Sequence, residues 1–306
     1  MVSVEDIRKV FRGHVAVAEP LAKYTSFRIG GPADFYLEPV DKFDLIEVVR
    51  FFKKFEYRFM IIGKGSNLLI SDAGFRGAAI NLEEGMGNVS IDRDLIVADS
   101  GVRLSKFVDF CIQHEKGGVE MLAGIPGTIG GAVIMNAGAY GGEISDHLVD
   151  IEIYRDDTIQ KVKKDSAGFS YRRSGFTRDV VLNASFLLPQ GDLAELLRRR
   201  RELLLKRNQS QPLNLPNSGS MFKNPSGTFA AKLVEEAGLK GKRIGGAQIS
   251  ERHGNFIVNH GHAKAQDVLD LVKLARKEVF EKSGITLELE VKLIGFREQE
   301  VVEVAD

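Results

Sequence analysis

The sequence predicts a mixed helix-and-strand protein of two domains, or three small ones. Its 306 residues exceed one domain at about 150 residues each. Apolar residues recur at helical spacing in some segments and in short Val, Ile and Leu-rich runs in others. A polar stretch, Asn208 to Ser220, with two prolines and a glycine, reads as a linker or ordered loop before a second domain.

Lys42 to Phe55 places Phe43, Ile46, Val49 and Phe52 at spacing three, an amphipathic helix. Arg58 to Ile62 then reads as a short buried strand running into glycine. Ala78 to Leu82, Leu95 to Ala98, Leu148 to Tyr154 and Asp179 to Leu187 are further strands. Between them, Leu104, Phe107, Val108 and Cys111 share one helical face, which makes Cys111 a core residue rather than a nucleophile. Asp192 to Arg207 has high helical propensity, and the run Arg198 to Arg201 reads as a solvated face rather than a phosphate site. A short helix, Ala230 to Ala237, is closed by Gly238, and a long one, Ala265 to Lys282, by Gly284. A strand near Asn255 to Asn259 lies between them. Thr286 to Ile294 alternates cleanly, with Leu287, Leu289, Val291 and Leu293 on one face of a half-buried strand.

Composition narrows the function. Hydrophobic residues are 43% and charged residues 27%, ordinary for a folded chain, so disorder is excluded. Lys plus Arg and Asp plus Glu are both 42, which argues against a dedicated nucleic-acid or anionic-membrane binder. One cysteine excludes an intramolecular disulfide framework and a multi-Cys zinc site, and His260 and His262 lack further ligands for a metal. No apolar stretch approaches the ~20 residues of a membrane span, and the start shows no targeting segment, so a cytoplasmic protein is expected.

Glycine is the compositional excess, 32 residues. The first site, Gly63, Lys64, Gly65, Ser66, Asn67, Leu68, follows a strand, where backbone N–H groups can approach a phosphate. Leu68 occupies the third glycine position of the dinucleotide fingerprint, so this is no Rossmann turn. The second site is denser and spans Gly124 to Gly142, with Pro126, Gly127, Thr128, Gly130, Gly131, Asn136, Gly138 and Tyr140. Tight turns between sheet edges would account for these glycines; two such sites with Asn and Tyr donors also suit a long phosphorylated cofactor, the preferred reading. Arg172 in Tyr171–Ser174 could grip a carboxylate, although a surface role is the plainer reading. Ser220 lies beside Lys223 without a hydrolase elbow, and periodicity puts Glu288, Glu290 and Lys292 in solvent.

Taken together, TSFRIGGPAD (Thr25 to Asp34), GKGSNLLISD (Gly63 to Asp72), AGIPGTIGGAVIMNAGAYGGE (Ala123 to Glu143), YRRS (Tyr171 to Ser174), GSMFKNP (Gly219 to Pro225) and LELEVKLIG (Leu287 to Gly295) resemble the UDP-N-acetylenolpyruvoylglucosamine reductases. The resemblance covers nearly the whole chain. It implies an α+β fold, with a two-part FAD-binding region of the vanillyl-alcohol oxidase (PCMH) type at 1–84 and 85–207 and a substrate domain at 208–306. It implies FAD held without a covalent link by Gly63, Gly65, Ser66, Asn67, Leu68, Pro126, Gly127, Thr128, Gly130, Gly131, Asn136 and Gly138, and NADPH as hydride donor in the same pocket.

By the same resemblance Arg172, Ser220 and Glu290 are catalytic, with Arg173 the alternative arginine. Hydride from flavin N5 would enter at C3 of the enolpyruvyl group of a UDP sugar. Arg172 and Glu290 would stabilise the developing charge, and Ser220 would protonate C2. Tyr140, Tyr171, Lys223 and Asn224 are the implied substrate contacts. No metal and no obligatory protein partner are expected. The short span from Arg172 to Ser220 resembles the subclass without a tyrosine loop. An oxygen-using oxidase on the same fold, or a nucleotide-binding module without redox chemistry, are the competing readings.

Overall fold

A computed structural model describes residues 2–298 and residue 300. The α+β class expected from the sequence is the one observed, and contacts gather the chain into two compact units. The first comprises Met1–Val17, Phe35–Gly63 and Gly77–Arg207; the second comprises Ala18–Asp34, Lys64–Arg76 and Asn208–Asp306. Two early segments, including the Gly65–Leu68 stretch, therefore group with the C-terminal hundred residues rather than with their sequence neighbours.

A four-stranded sheet, most of whose residues belong to the first unit, runs in the order His14–Pro20, Pro32–Glu38, Phe75–Asn81, Phe59–Ile62, the last pair parallel with Phe59 opposite Ala78. The helix Lys42–Lys54 starts where Asp41 Oδ1 accepts the Asp44 N–H at 2.8 Å. It buries Leu45, Ile46, Val48, Val49 and Phe52 against Phe35, Leu37, Ala78 and Ile80. Phe43, expected on that face, is 66% exposed. At about 100° per residue, spacing three drifts steadily, and nine residues from Phe43 to Phe52 amount to about half a turn. The same unit holds an antiparallel sheet ordered Thr158–Lys163, Leu148–Arg155, Val180–Phe186, Leu95–Asp99, Val89–Asp92. The helix Leu104–Gln113 packs Phe107 on Phe186, ring centroids 4.8 Å apart, and buries Cys111 completely.

The helix Leu193–Ser210 carries the arginine run. Arg198 pairs with Glu195 and Glu202, each at 2.6 Å, and Arg200 with Asp109 at 2.7 Å, as a solvated, ion-paired face would. This helix extends three residues into the expected linker, and Asn217–Ser220 is already a strand, so the irregular connection is only 211–216. Its polar residues do not prevent pairing, because the strand's backbone groups bond to a neighbour irrespective of side-chain polarity.

In the second unit an antiparallel sheet is ordered Asn217–Ser220, Phe256–Asn259, Ala247–Ile249, Arg243–Ile244. The helices Ala230–Glu236 and Ala265–Ser283 bury Leu233, Val234, Val268, Leu269 and Val272 with Phe27, Leu69, Met221 and Phe222. The expected strand Thr286–Ile294 is shorter: only Lys292–Ile294 forms a ladder, parallel to Leu68–Ile70, and Leu289 makes a single bridge to Phe222. The alternation reports burial correctly, since Leu287 and Val291 are buried, but burial alternation alone does not supply a continuous hydrogen-bonding partner. Among the described residues, no helix is long and apolar enough to cross a membrane.

Candidate functional site

In the first unit the two glycine sites meet. A Cβ on Gly63 would lie 2.5 Å from Thr128 Oγ1, so the end of the Phe59–Ile62 strand rests directly on the residue preceding the helix Ile129–Met135. That helix, built from the densest glycine run, was not foreseen; its first N–H groups are taken by backbone, Ile129 N–H by Val102 O and Gly130 N–H by Ser100 O, both at 2.8 Å. Gly130 packs on Ser100, where a Cβ would come within 2.9 Å of the serine Cβ. Protein packing thus accounts for Gly63 and Gly130. Gly131 differs, since a Cβ there would have only Thr128 Oγ1 within 4 Å, at 3.7 Å.

The helix ends at Asn136 in the left-handed conformation, φ 44 and ψ 55. Its Nδ2 donates to Glu143 Oε2 at 2.6 Å and to Ser170 O at 3.1 Å. Asn136 Oδ1 and Ser100 Oγ are both buried with no partner among the described residues. Leaving such groups unpaired costs about 1–3 kcal/mol each, so the flanks of this glycine helix present unmet polar capacity.

Arg172 sits at the tip of a tight turn in which Ser170 and Arg173 exchange two backbone hydrogen bonds of 3.0 Å. Its own φ is 56, and with Asn136 and Tyr140 (φ 54) it makes three left-handed non-glycine residues, each costing on the order of 1 kcal/mol. Arg172 Nη2 donates to Gly138 O at 3.0 Å, and the guanidinium carbon lies 4.8 Å from the Tyr171 ring centroid. Ser174 Oγ donates to Ile134 O at 3.0 Å. The arginine turn is therefore bolted to 134–138 by Asn136, Arg172 and Ser174. Arg173 is exposed, whereas Arg172 is half-buried. Tyr140 and Tyr171 are 49% and 45% exposed.

In the second unit, Asn217 pairs with Val258 and Ser220 with Phe256, so two residues, Ser218 and Gly219, stand opposite one, Ile257. Gly219, at φ 75, supplies the left-handed backbone within this irregular stretch, which re-aims Ser220 at the strand end. The next residue joins Ser220 to Glu290: Met221 O accepts the Glu290 N–H at 2.9 Å. Glu290 O in turn accepts Asn67 Nδ2 at 3.0 Å, and Asn67 O accepts the Lys292 N–H at 2.9 Å. Gly65, φ 54, is required by Tyr24, whose carbonyl oxygen would stand 2.4 Å from a Cβ. Ser66 and Leu68 belong to this segment, Leu68 opposite Lys292. Glu290 is half-buried, not solvent-exposed as periodicity indicated, while Glu288 and Lys292 are exposed.

Of the expected substrate contacts, the Lys223 ammonium is ion-paired with Glu288, and Asn224 Oδ1 accepts the Ala230 N–H at 3.1 Å at the start of a helix. His260 Nε2 is hydrogen-bonded to Gln248 Oε1 at 2.6 Å. Gly63, Thr128, Gly130, Gly131, Asn136, Gly138, Tyr140, Tyr171 and Arg172 thus belong to one unit, with Pro126 and Gly127 on the approach to Thr128; Gly65 to Leu68, Ser220, Lys223, Asn224 and Glu290 belong to the other.

Residues 211–294 match the C-terminal domain of UDP-N-acetylenolpyruvoylglucosamine reductase, and residues 33–160 match an FAD binding domain. A relative named UDP-N-acetylenolpyruvoylglucosamine reductase from Chloroherpeton thalassium is 46% identical over 97% of this chain and 99% of its own length. The chain belongs to the UDP-N-acetylenolpyruvoylglucosamine reductase family. A relative of the same name from Caldanaerobacter subterraneus subsp. tengcongensis is 39% identical, covering 95% of this chain and 98% of the relative. The crystal structure of the Thermus caldophilus reductase superposes with a TM-score of 0.79 at 35% identity, covering 92% of this chain and 99% of that one. The fold is α+β, and residues 33–160 form the segment that matches an FAD binding domain, as the resemblance implied for an FAD-binding region.

Sequence reading missed Ser100 and Glu143. Ser100 carries no motif signal, because its Oγ matters only through burial beside Gly130. Glu143 closes the glycine stretch, and its role emerges only when the helix end brings Asn136 to it.

Proposed function

We propose that this family member reduces the enolpyruvyl group of UDP-N-acetylglucosamine-enolpyruvate to UDP-N-acetylmuramate, a peptidoglycan precursor, in the cytoplasm. It is an oxidoreductase that uses FAD and NADPH. In this reading residues 1–84 and 85–207 serve FAD and 208–306 the substrate. Ser100 Oγ beside Gly130 and Asn136 Oδ1 at the end of the same helix are buried without a partner among the described residues, and the open space at Gly131 on that helix supports an FAD seat near it. Gly63, Gly65, Ser66, Asn67, Leu68, Pro126, Gly127, Thr128, Gly130, Gly131, Asn136 and Gly138 would hold it. The complete burial of Cys111 supports a non-covalent cofactor. When bound there and reduced by NADPH, FAD would supply the hydride taken up at substrate C3.

The chain's own residues do the rest. Arg172, already held to Gly138 O, offers a fixed cation for the substrate carboxylate, toward which the electron pair moves. Glu290, held at both backbone groups by Met221 and Asn67, would keep a proton shared with that carboxylate. Ser220 Oγ would hold the proton delivered to C2 and be recharged from a neighbouring cation or water, a free serine being a poor acid. The observation that supports these roles is the backbone bond from Glu290 N–H to Met221 O, which ties the segment carrying Glu290 to the residue after Ser220. Tyr140, Tyr171, Lys223 and Asn224 would contact the sugar nucleotide. From Phe176 to Ser210 the chain is mostly strand Val180–Phe186 and helix Leu193–Ser210, which supports membership of the subclass without a tyrosine loop.

The test is anaerobic stopped flow on Ser220→Ala. Reduction of bound flavin by NADPH should stay within about twofold of wild type, and reoxidation by the enolpyruvyl sugar nucleotide should slow by about 10²–10⁴-fold, the usual range for general acid catalysis. Reoxidation at the wild-type rate removes Ser220 from the chemistry.

A further inference from the structure

We infer that Asn255 is a positioning residue for proton transfer by Ser220, acting as a side-chain rung that continues the sheet where its strands stop. This deepens the proposed function and rests on the role given there to Ser220. Regular pairing between Asn217–Ser220 and Phe256–Asn259 ends at Ser220 opposite Phe256. One residue further, Met221 N–H donates to Asn255 O at 2.9 Å. The Asn255 amide then bonds the Phe222 backbone in both directions: Oδ1 accepts the Phe222 N–H at 2.9 Å and Nδ2 donates to Phe222 O at 2.8 Å. A carboxamide repeats the donor and acceptor of a peptide group, so this geometry imitates a ladder rung.

The rung is placed where it governs the site. Asn255 is 3% exposed, so its bonds are shielded from water, and loss of its side chain would leave two backbone groups of Phe222 without them. The backbone it grips, Met221 and Phe222, follows Ser220 directly and receives Glu290 on Met221 O. Lys223 N–H continues the same edge to Glu288 O at 2.8 Å. Ser220 itself stands just after the irregular pairing and Gly219, where the regular ladder constrains it least. Asn255 supplies the constraint on the far side, as supporting hydrogen bonds must if a reacting group is to be held in productive geometry.

The experiment compares Asn255→Ala, Ser220→Ala and the double variant, each loaded with FAD, by anaerobic stopped flow. Asn255→Ala should leave flavin reduction by NADPH within about twofold and slow reoxidation by the enolpyruvyl sugar nucleotide by about 10–100-fold, the scale expected for misplacement near the chemistry. In the Ser220→Ala background, Asn255→Ala should add less than about threefold, because the serine it positions is gone. Asn255→Asp, which keeps the acceptor for Phe222 N–H and loses the amide donor, should fall between wild type and Asn255→Ala and provides the same comparison if the alanine variant does not fold. A full, independent slowing on top of Ser220→Ala, or equal losses in both half-reactions, overturns the inference as a general structural effect. Wild-type reoxidation in Asn255→Ala with slow Ser220→Ala also overturns it while leaving the proposed function standing. Fast reoxidation in Ser220→Ala instead overturns the proposed function.

Discussion

The contact between Gly63 and Thr128 invites a quantitative test. Gly63 lies outside the left-handed region, so alanine brings no backbone strain of its own there. Its methyl would stand 2.5 Å from Thr128 Oγ1 and 3.0 Å from Cγ2. The nearer distance is about 1 Å short of the ~3.5 Å at which dispersion contacts begin to be comfortable. Thr128 is 4% exposed and has little room to turn away, so Gly63→Ala should behave as an overpacked core substitution and cost about 1–3 kcal/mol. At roughly 2–4 °C per kcal/mol for a unit of this size, a mid-range cost lowers Tm by about 4–8 °C. Thr128→Ala removes the two closest atoms and leaves Cβ at 3.3 Å, which a small shift accommodates. Thr128→Ala alone should cost about 1 kcal/mol, and adding Gly63→Ala should cost less than ~0.5 kcal/mol more, a coupling of about 1–2 kcal/mol. Urea unfolding of the four FAD-free proteins measures the cycle, and FAD titration reports whether the seat is disturbed. Equal penalties for Gly63→Ala in both backgrounds would refute the claim that Thr128 is the atom-level obstacle.

Two further outcomes follow from burial. Cys111 is completely enclosed and its thiol is pushed up to about 12 by burial, with the Glu120 charge adding to the effect. At pH 8 only about one molecule in 10⁴ carries the reactive thiolate, so a thiol reagent should label the native protein no faster than it unfolds; rapid labelling of folded protein contradicts this. His253, which accepts the Asn255 N–H at 3.3 Å, is held below its usual range by burial first and then by Lys240. The unfolded chain therefore takes up this proton at a higher pH than the folded one, so stability should be full above about pH 6.5 and decline as pH falls below it. His253→Gln should flatten that part of the urea midpoint against pH, and an unchanged slope assigns it to other groups.

Elements whose neighbours lie close in sequence were legible before any coordinates. Leu104, Phe107, Val108 and Cys111 announce their helix, and Gly238 and Gly284 mark real helix ends at φ 76 and φ 69. Phe43 misleads because a spacing of three is not the helical period, and residues 286–294 mislead because alternation records burial without naming a pairing partner. The helix Ile129–Met135 hid behind its glycines, which have low intrinsic helical preference and are tolerated where a close neighbour such as Ser100 excludes any side chain. At the site, motifs marked Arg172, Ser220 and Glu290 by resemblance, whereas burial and bonding of those residues could not be read locally.

The amino-acid order by itself determined the α+β class, most helices and strands, and the family, because these depend on patterns a few residues long or on matched segments along the chain. Tertiary structure alone decided that Glu290 N–H pairs with O of Met221, the residue after Ser220, that Asn67 braces Glu290 across 223 positions, and that Ser100 and Asn136 bury oxygens unpaired among the described residues. Such relations arise from non-local backbone pairing and exclusion of water, and neither leaves a signature in the spacing of residues along a chain.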